Sequence, residues 1–464
     1  MRANLLVNTV FTLLPLISTA SAAHSPMRNR HEAAPKEFQR ALPSASDLEK
    51  AASSLLNPTQ TDQTQINSRP YKLLTKALPK ILKNANSISI HSWELGCFTE
   101  TLLEVYNPGL TPFEWQQRSC ALLEFNDIPW NVLKIAEKSL VAYDWTGSPS
   151  DLDACDGKLE DYLDNSKSPV PHVTGGRALI NGDGALGDPV SLVPAVWILA
   201  QFAKNRLVHL GLEMKQGEDY AWAVGNQLDY LLNGPTQIGI ISQREDHWEL
   251  WADMMYMIPP SLTYMGLSLS DEVYLQTGLE QWSLESQTLL DPSVNIYNHI
   301  TGWDMRLWAT GNGWGVYGAI RNLYAARALS HDSAYVKEAE DTLLKVFTGL
   351  FSQLDDQKLL PNYMKQDNAT LAVGDTAGTA LTVAAYYRFI TLCPDKAHSK
   401  LTKLAENAFD AVVGKIDNDG WVTHAVDPMG TYGWVVYPND LSMHSPEAQA
   451  FAAKMWKART EAGI

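Results

Sequence analysis

The chain is 464 residues long, 45% hydrophobic and 19% charged, with a formal net charge of −16. That length and apolar content suffice for a large buried core. The acidic balance speaks against nucleic acid and against a long polyanion, both of which need clustered Lys and Arg; a small acidic sugar held by one or two local cations remains compatible with it.

In chain order, the first segment reads as a leader. Arg2 precedes an apolar run from Leu5 to Ile17, and Ala20-Ser21-Ala22 offers the small-x-small pattern of a signal peptidase site. Residues 1–22 are therefore expected to be a signal peptide, and the mature protein to be secreted. Asn368-Ala369-Thr370 is an acceptor sequon that fits export and a surface loop. No later stretch reaches about 18 uninterrupted apolar residues, so no membrane span is expected. Residues 23–66 are polar and read as an arm with one short helix near Ser46–Leu56.

Residues 67–464 read as one all-α domain. Helical spacing predicts segments at Tyr71–Lys83, Trp93–Tyr106, Phe113–Phe125, Trp130–Tyr143, Ser191–Leu212 and Asp219–Leu232. Further ones follow at Leu250–Leu267 (interrupted by Pro259-Pro260), Asp271–Leu289, Leu307–Leu329, Ala334–Leu354, Thr379–Leu392 and His398–Lys415. Residues 144–187 lack periodicity and are rich in Gly, Asp, Ser and Pro, which marks a long functional loop or a small excursion. β-like alternation is confined to Gln237–Ser242 and Trp421–Tyr437. Long helices joined by alternating short and long connections are the pattern of stacked helical hairpins. Cys97, Cys120, Cys155 and Cys393 show no zinc spacing, so no metal and no cofactor is expected. Disulfides of Cys97 with Cys120, or of either with Cys155, stand beside buried free thiols as the alternatives.

Fifteen tryptophans are present, and six of them (Trp248, Trp251, Trp282, Trp303, Trp308, Trp314) fall in one stretch with His247, His299, Asp253 and Asp304. Aromatic faces stack on sugar rings, while carboxylates and imidazole bond hydroxyls or move protons. Core packing explains any one of these tryptophans; the cluster points to a sugar site. Asp253 stands where an apolar helix begins and can point into a cavity, with Trp251 beside it to desolvate the carboxyl and raise its pKa. A helix-capping Asp is the bland alternative. In Trp308-Ala-Thr310-Gly-Asn312-Gly-Trp314-Gly, the glycines would let Trp308, Asn312 and Trp314 meet a ligand closely.

The W-x-D segment ending at Asp253, the later His299-Ile-Thr-Gly-Trp303-Asp304 and the W-A-x-G-N-G-W run resemble glycoside hydrolase families 88 and 105. Leu186-Gly-Asp188-Pro resembles their upstream acidic position, and Asp375-Thr-Ala-Gly-Thr-Ala380 their later small-residue motif; the likeness covers roughly residues 70–415. It implies an (α/α)6 barrel that removes a Δ4,5-unsaturated uronic acid from the non-reducing end of lyase-generated oligosaccharides. On that resemblance Asp253 is the acid/base and Asp188 binds ring hydroxyls or positions water. His299 contacts substrate, and Trp251, Trp303, Trp308, Asn312 and Trp314 shape the pocket. Thr310 stands where the family pattern has an arginine that clasps the uronate. If the segment is helical, Arg306 lies one turn earlier and could replace it; Arg244 is a second candidate.

The expected partner is thus an oligosaccharide, with no nucleic acid and no membrane, and the expected state a monomer. Two other readings stand beside this one. A non-catalytic carbohydrate-binding or host-interaction protein on the same scaffold would take Thr310 as its mark. An ordinary glycosidase or a lyase would need Glu249 or Asp304 as a second working carboxylate.

Overall fold

The computed structural model describes residues 68–116, 128–150, 176–205, 215–367, 372–426 and 444–464. The leader, the polar arm, the sequon, Cys120, Cys155 and most of the expected Phe113–Phe125 helix lie outside them.

Twelve α-helices occur among the described residues, and they alternate in character. The first, α1 (Arg69–Ile88), buries Tyr71, Leu74, Leu78, Ile81, Leu82 and Ala85 at three- and four-residue spacing and turns its other face to water. Then follow α2 (Ser92–Tyr106), α3 (Trp130–Ser139), α4 (Val193–Asn205), α5 (Lys215–Leu232), α6 (Met254–Leu269) and α7 (Glu272–Leu289). The last five are α8 (Ala309–Ala328), α9 (Ala334–Phe351), α10 (Thr376–Leu392), α11 (Ser399–Val413) and α12 (Pro446–Ala462). The even-numbered helices are buried along most of their length, as in α10, where fifteen of seventeen residues are inaccessible. A helix apolar on every side belongs inside, and the amphipathic odd-numbered helices cover it.

The six even-numbered helices form a closed ring. Neighbours touch in the order α2, α4 with the short 3-10 helix Asp188–Leu192 before it, α6, α8, α10, α12 and back to α2. Their N-terminal ends lie together. A methyl on Gly187 would strike Met254 Sδ, one on Gly378 the Ala309–Thr310 backbone, and Trp93 Nε1 bonds Glu447 across α2 and α12. The fold is an (α/α)6 barrel, as expected. Cys97 and Cys393 are buried free thiols, so Cys97 joins no disulfide.

Short antiparallel strand pairs decorate the connections that lead into the ring: β1 (Thr236–Gln237) with β2 (Ile240–Ile241), and β3 (Leu290–Asp291) with β4 (Ile296–Tyr297). Two more pairs, β5 (Leu307–Trp308) with β7 (Tyr363–Met364) and β6 (Leu360–Pro361) with β8 (Gly374–Asp375), tie the entries of α8 and α10 together.

Two local expectations are corrected. Pro259-Pro260 does not interrupt α6, which runs through both prolines. Pro260 frees the Tyr256 carbonyl four residues back, and Arg321 Nη1 donates to it at 3.3 Å, restoring the lost bond from outside the helix. The segment expected to be helical from Leu307 begins instead with β5, and the helix starts at Ala309.

Arg321 belongs to a buried ionic network on the ring's axis. It pairs with Glu100, to which Tyr256 Oη also donates, while Lys454 and Arg388 pair with Glu104. Removing one member of a buried pair strands the other, at a cost of about 3–5 kcal/mol. Arg321→Met should therefore lower the unfolding free energy by roughly that amount in denaturant titration; a loss below about 1 kcal/mol would show that water reaches Glu100.

Candidate active site

Each inner helix brings its first residues to one end of the barrel. The polar side chains gathered there are Trp93 and Glu94 from α2, Asp188 before α4, Asp253 before α6, Thr310 in α8, Asp375 before α10 and Glu447 in α12. Convergent helix N-termini present unpaired N–H groups and a positive potential, which suits anionic ligands and anionic side chains.

Asp253 does not behave as a cap. It sits at the N-cap of α6 with helical backbone angles, and its side chain accepts no capping hydrogen bond. The side chain is 17% exposed, with Oδ2 lying 3.6 Å from His299 Nε2. That Oδ2 is buried without a hydrogen-bond partner among the described residues. A buried carboxylate oxygen left so is costly unless a ligand or water completes it.

Asp188 opens the 3-10 helix that precedes α4, and part of its surface stays open to solvent. Desolvation, reinforced by the Asp253 charge and opposed by the Arg244 guanidinium, pushes its carboxyl up to about 7. Arg244 reaches this region because Ala185 bridges to it and its Nη1 donates to the Asp183 carbonyl at 3.3 Å. Gly184 permits the approach: its φ is +81°, and a β-carbon there would strike Arg244 Nη2 at 2.3 Å.

His299 is fully buried, with Trp308 tilted 4.5 Å away and Trp251 edge-on at 5.9 Å. Its Nδ1 lies 2.9 Å from Asp304 Oδ2. Burial alone would depress the imidazole pKa, but the carboxylates of Asp253 and Asp304 outweigh it and hold the ring above its ordinary value. Arg306 grips Asp304 with both arms, Nε at 2.6 Å and Nη2 at 2.9 Å, and its guanidinium lies 4.1 Å above the Tyr363 ring. Burial would raise the Asp304 pKa, yet His299 and Arg306 together hold it well below the usual carboxylate range.

At the rim, Glu249 clips two indoles, accepting from Trp251 Nε1 at 2.9 Å and from Trp303 Nε1 at 3.1 Å. Trp303 remains 54% exposed and meets Trp251 edge-on at 5.9 Å. Glu249 and Asp304 are thus both committed to protein partners, which weakens the case for either as a second working carboxylate.

Among the sequence candidates, the structure gathers Asp253, His299, Trp251, Trp303 and Trp308 around one point and places Asp188 within electrostatic reach. Four others are spent elsewhere. Asn312 is fully buried and spends its amide on Tyr297 and on the Trp308 carbonyl. Trp314 packs deeper on the axis, between Tyr256 at 4.4 Å and Phe451 at 4.6 Å. Gly313 faces Leu381 and Gly315 faces Met255, so these glycines serve close helix contact instead of baring backbone to a ligand. Thr310 donates to Asp375 Oδ2 at 3.0 Å, and Asp375 also accepts from the N–H groups of Ala377, Gly378 and Val426. Arg306 precedes β5, so the helical turn that would align it with Thr310 does not exist.

Sequence reasoning missed the α2–α12 side of the ring. There His91 stacks on Trp93 at 4.7 Å, and Glu447 accepts from Trp93 Nε1 at 2.9 Å. Desolvation, together with the nearby Glu94 charge, pushes the Glu447 carboxyl up to about 7. His91-Ser-Trp-Glu94 and Ser445-Pro-Glu447 look like ordinary helix starts, and only ring closure makes them neighbours.

No group of three or more His, Cys, Asp or Glu among the described residues is placed to hold a metal ion. No described helix is long and apolar enough to cross a membrane.

The model of Glycosyl Hydrolase Family 88 matches residues 204–446, just over half of the chain and including Asp253, His299 and Asp304. The chain belongs to that family. It is a glycoside hydrolase. No curated protein matches it in sequence. Solved structures extend the likeness over most of its length. A possible member of family GH105 from Salmonella enterica shares 14% identity at a TM-score of 0.55, covering 87% of this chain and 99% of its own. A family 88 glycosyl hydrolase from Bacteroides vulgatus shares 13% at a TM-score of 0.55, over 84% of this chain and 99% of its own. A polysaccharide lyase shares 16% at a TM-score of 0.54, over 85% and 98%. At such identities the likeness is one of fold, and one scaffold serves more than one chemistry.

The raised carboxyl of Asp188 carries a pH signature in this family 88 enzyme. A folded-state pKa near 7 exceeds the unfolded value, so the group adds stability that is complete below about pH 4 and is lost as pH rises through about 7. Wild type should lose thermal stability relative to Asp188→Asn across that window. Parallel melting curves from acid to neutral pH would contradict the assignment.

Proposed function

We propose that this family 88 enzyme removes a Δ4,5-unsaturated uronic acid from the non-reducing end of oligosaccharides that a lyase has released from pectin, rhamnogalacturonan or arabinogalactan. The observation that carries the reading is the buried Oδ2 of Asp253, which makes no hydrogen bond and lies 3.6 Å from His299 Nε2, where six helix N-termini meet. Protonated Asp253 delivers its proton to C4 of the ring's enol ether. Water adds at C5 and returns a proton to the carboxylate. The resulting hemiketal opens and expels the remaining sugar. Such chemistry needs one acid/base group, unlike the opposed pair of ordinary glycosidases. Asp188, protonated below about pH 7, is suited to bond a ring hydroxyl or hold the water.

The closed floor supports exo action. Beneath the acids the axis is filled by Trp314, Tyr256, Tyr317 and the Glu100–Arg321 and Glu104–Lys454 pairs. A chain end can enter, but a chain cannot thread through. For the uronate carboxylate we assign Arg244 as counter-charge, because Arg306 is held by Asp304. A carboxylate moved into a partly dry site without a cation forfeits several kcal/mol of hydration. Action outside the cell is the reading that residues 1–22 support.

Two mutants test this. Asp253→Asn should lower kcat on unsaturated uronides by about 10²–10⁴-fold while the melting temperature holds; near-wild-type turnover would remove Asp253 from the mechanism. Arg244→Ala should raise KM roughly 10–100-fold for a free uronide, the worth of a charged hydrogen bond, and far less for its methyl ester. Equal effects on both substrates would make Arg244 structural.

A further inference from the structure

We infer that Asp304 and Arg306 are positioning residues that act on Asp253 through His299, forming a four-membered chain from the ring's centre to the barrel's rim. The inference rests on the reading of Asp253 as the acid/base.

The geometry is continuous. Asp253 Oδ2 lies 3.6 Å from His299 Nε2. Asp304 Oδ2 lies 2.9 Å from Nδ1 on the opposite edge of the same ring, and Arg306 binds both oxygens of Asp304. An ionised carboxylate at Nδ1 keeps a proton on that nitrogen, so Nε2 is the nitrogen left facing Asp253. Bidentate pairing fixes the carboxylate's plane, and with it the imidazole's orientation. Tyr363 completes the support: its ring lies under the guanidinium, and its hydroxyl donates to Asp304 Oδ2 at 3.4 Å.

The ionisable groups around the imidazole are Asp253 from the start of α6, Asp304 and Arg306 from its own connection, and Tyr363 from β7. Among the described residues, Trp251, Trp308 and Gly311 of α8 pack against the imidazole's other sides. His299 thus has one carboxylate on each edge, and its charge follows theirs. Arg306 remains one-third exposed while the imidazole and Asp304 are sealed. The chain therefore carries the influence of a rim cation to a buried acid, and the guanidinium so employed is not the uronate clamp.

The test combines a titration with a kinetic split, on the full-length protein. With ¹³C-labelled histidine, the His299 signal (assigned by its loss in His299→Gln) should titrate about 1–3 pH units lower in Asp304→Asn than in wild type, because a facing carboxylate is lost. The alkaline limb of the kcat profile should move the same way. Arg306→Gln, at a partly exposed site, should lower kcat about tenfold or more and leave KM within about threefold for both an unsaturated uronide and its methyl ester. Arg306→Lys should recover part of that loss. An unmoved His299 midpoint in Asp304→Asn overturns the inference. So does an Arg306→Gln enzyme whose KM rises selectively for the charged substrate, since that marks a clamp. If Asp304→Asn does not fold, the Arg306 split decides alone. If the wild type proves inert on every unsaturated uronide, the substrate reading fails, while the titration, which needs no substrate, still tests the chain.

Discussion

Closure of six parallel inner helices is the constraint from which the rest of the molecule follows. Once the ring closes, six sets of unpaired N–H groups and six positive helix ends share one small volume. Acidic side chains at those ends are favoured electrostatically and, being crowded, repel one another. Both effects are visible in the site. Asp375 is saturated, capping α10 through Ala377 and Gly378 and accepting also from Val426 N–H and the Thr310 hydroxyl. Asp188 and Glu447, desolvated and each near another carboxylate, sit near 7 instead of near 4. Asp253 is the acid that does not cap its helix and whose Oδ2, without a hydrogen bond, faces His299 Nε2 at 3.6 Å. The ring supplies several carboxylates and leaves one poised.

The opposite requirement governs the axis below. Inner helices approach closely there, so small residues meet across the interfaces, and the charges that remain are paired. Such a network contributes little net stability compared with an apolar core, but it penalises any arrangement that parts the partners. The result is a sealed floor, which turns a toroid into a pocket.

The sequence revealed the architecture, and it misled at particular residues for identifiable reasons. Alternating helix lengths and connections exposed the hairpins, and the motif resemblance placed Asp253, His299 and Asp188. Asn312 and Trp314 were misread because an inner helix is apolar all round. Its periodicity carries no sign of which face meets the pocket and which meets a neighbour. Their glycines look alike whether they admit a ligand or another helix. Arg306 was aligned with Thr310 by assuming one continuous helix, and a two-residue strand pairing with β7, some 56 positions away, defeats any local rule. The Pro259-Pro260 pair reads as a break because the compensating donor, Arg321, lies on another helix. Trp93 and Glu447 became site neighbours only through ring closure. In each case the missing information was a contact distant in sequence.

In the proposed reaction the acid protonates a ring carbon and not the glycosidic oxygen. Single-turnover hydrolysis of an unsaturated uronide in deuterium oxide tests it most directly. Asp253 chemistry predicts one deuterium delivered to C4, with loss of the 4,5 double bond in step with release of the remaining sugar. Release of a sugar that still carries its double bond and has no deuterium at C4 would contradict it, and would return this family 88 enzyme to an ordinary glycosidase mechanism.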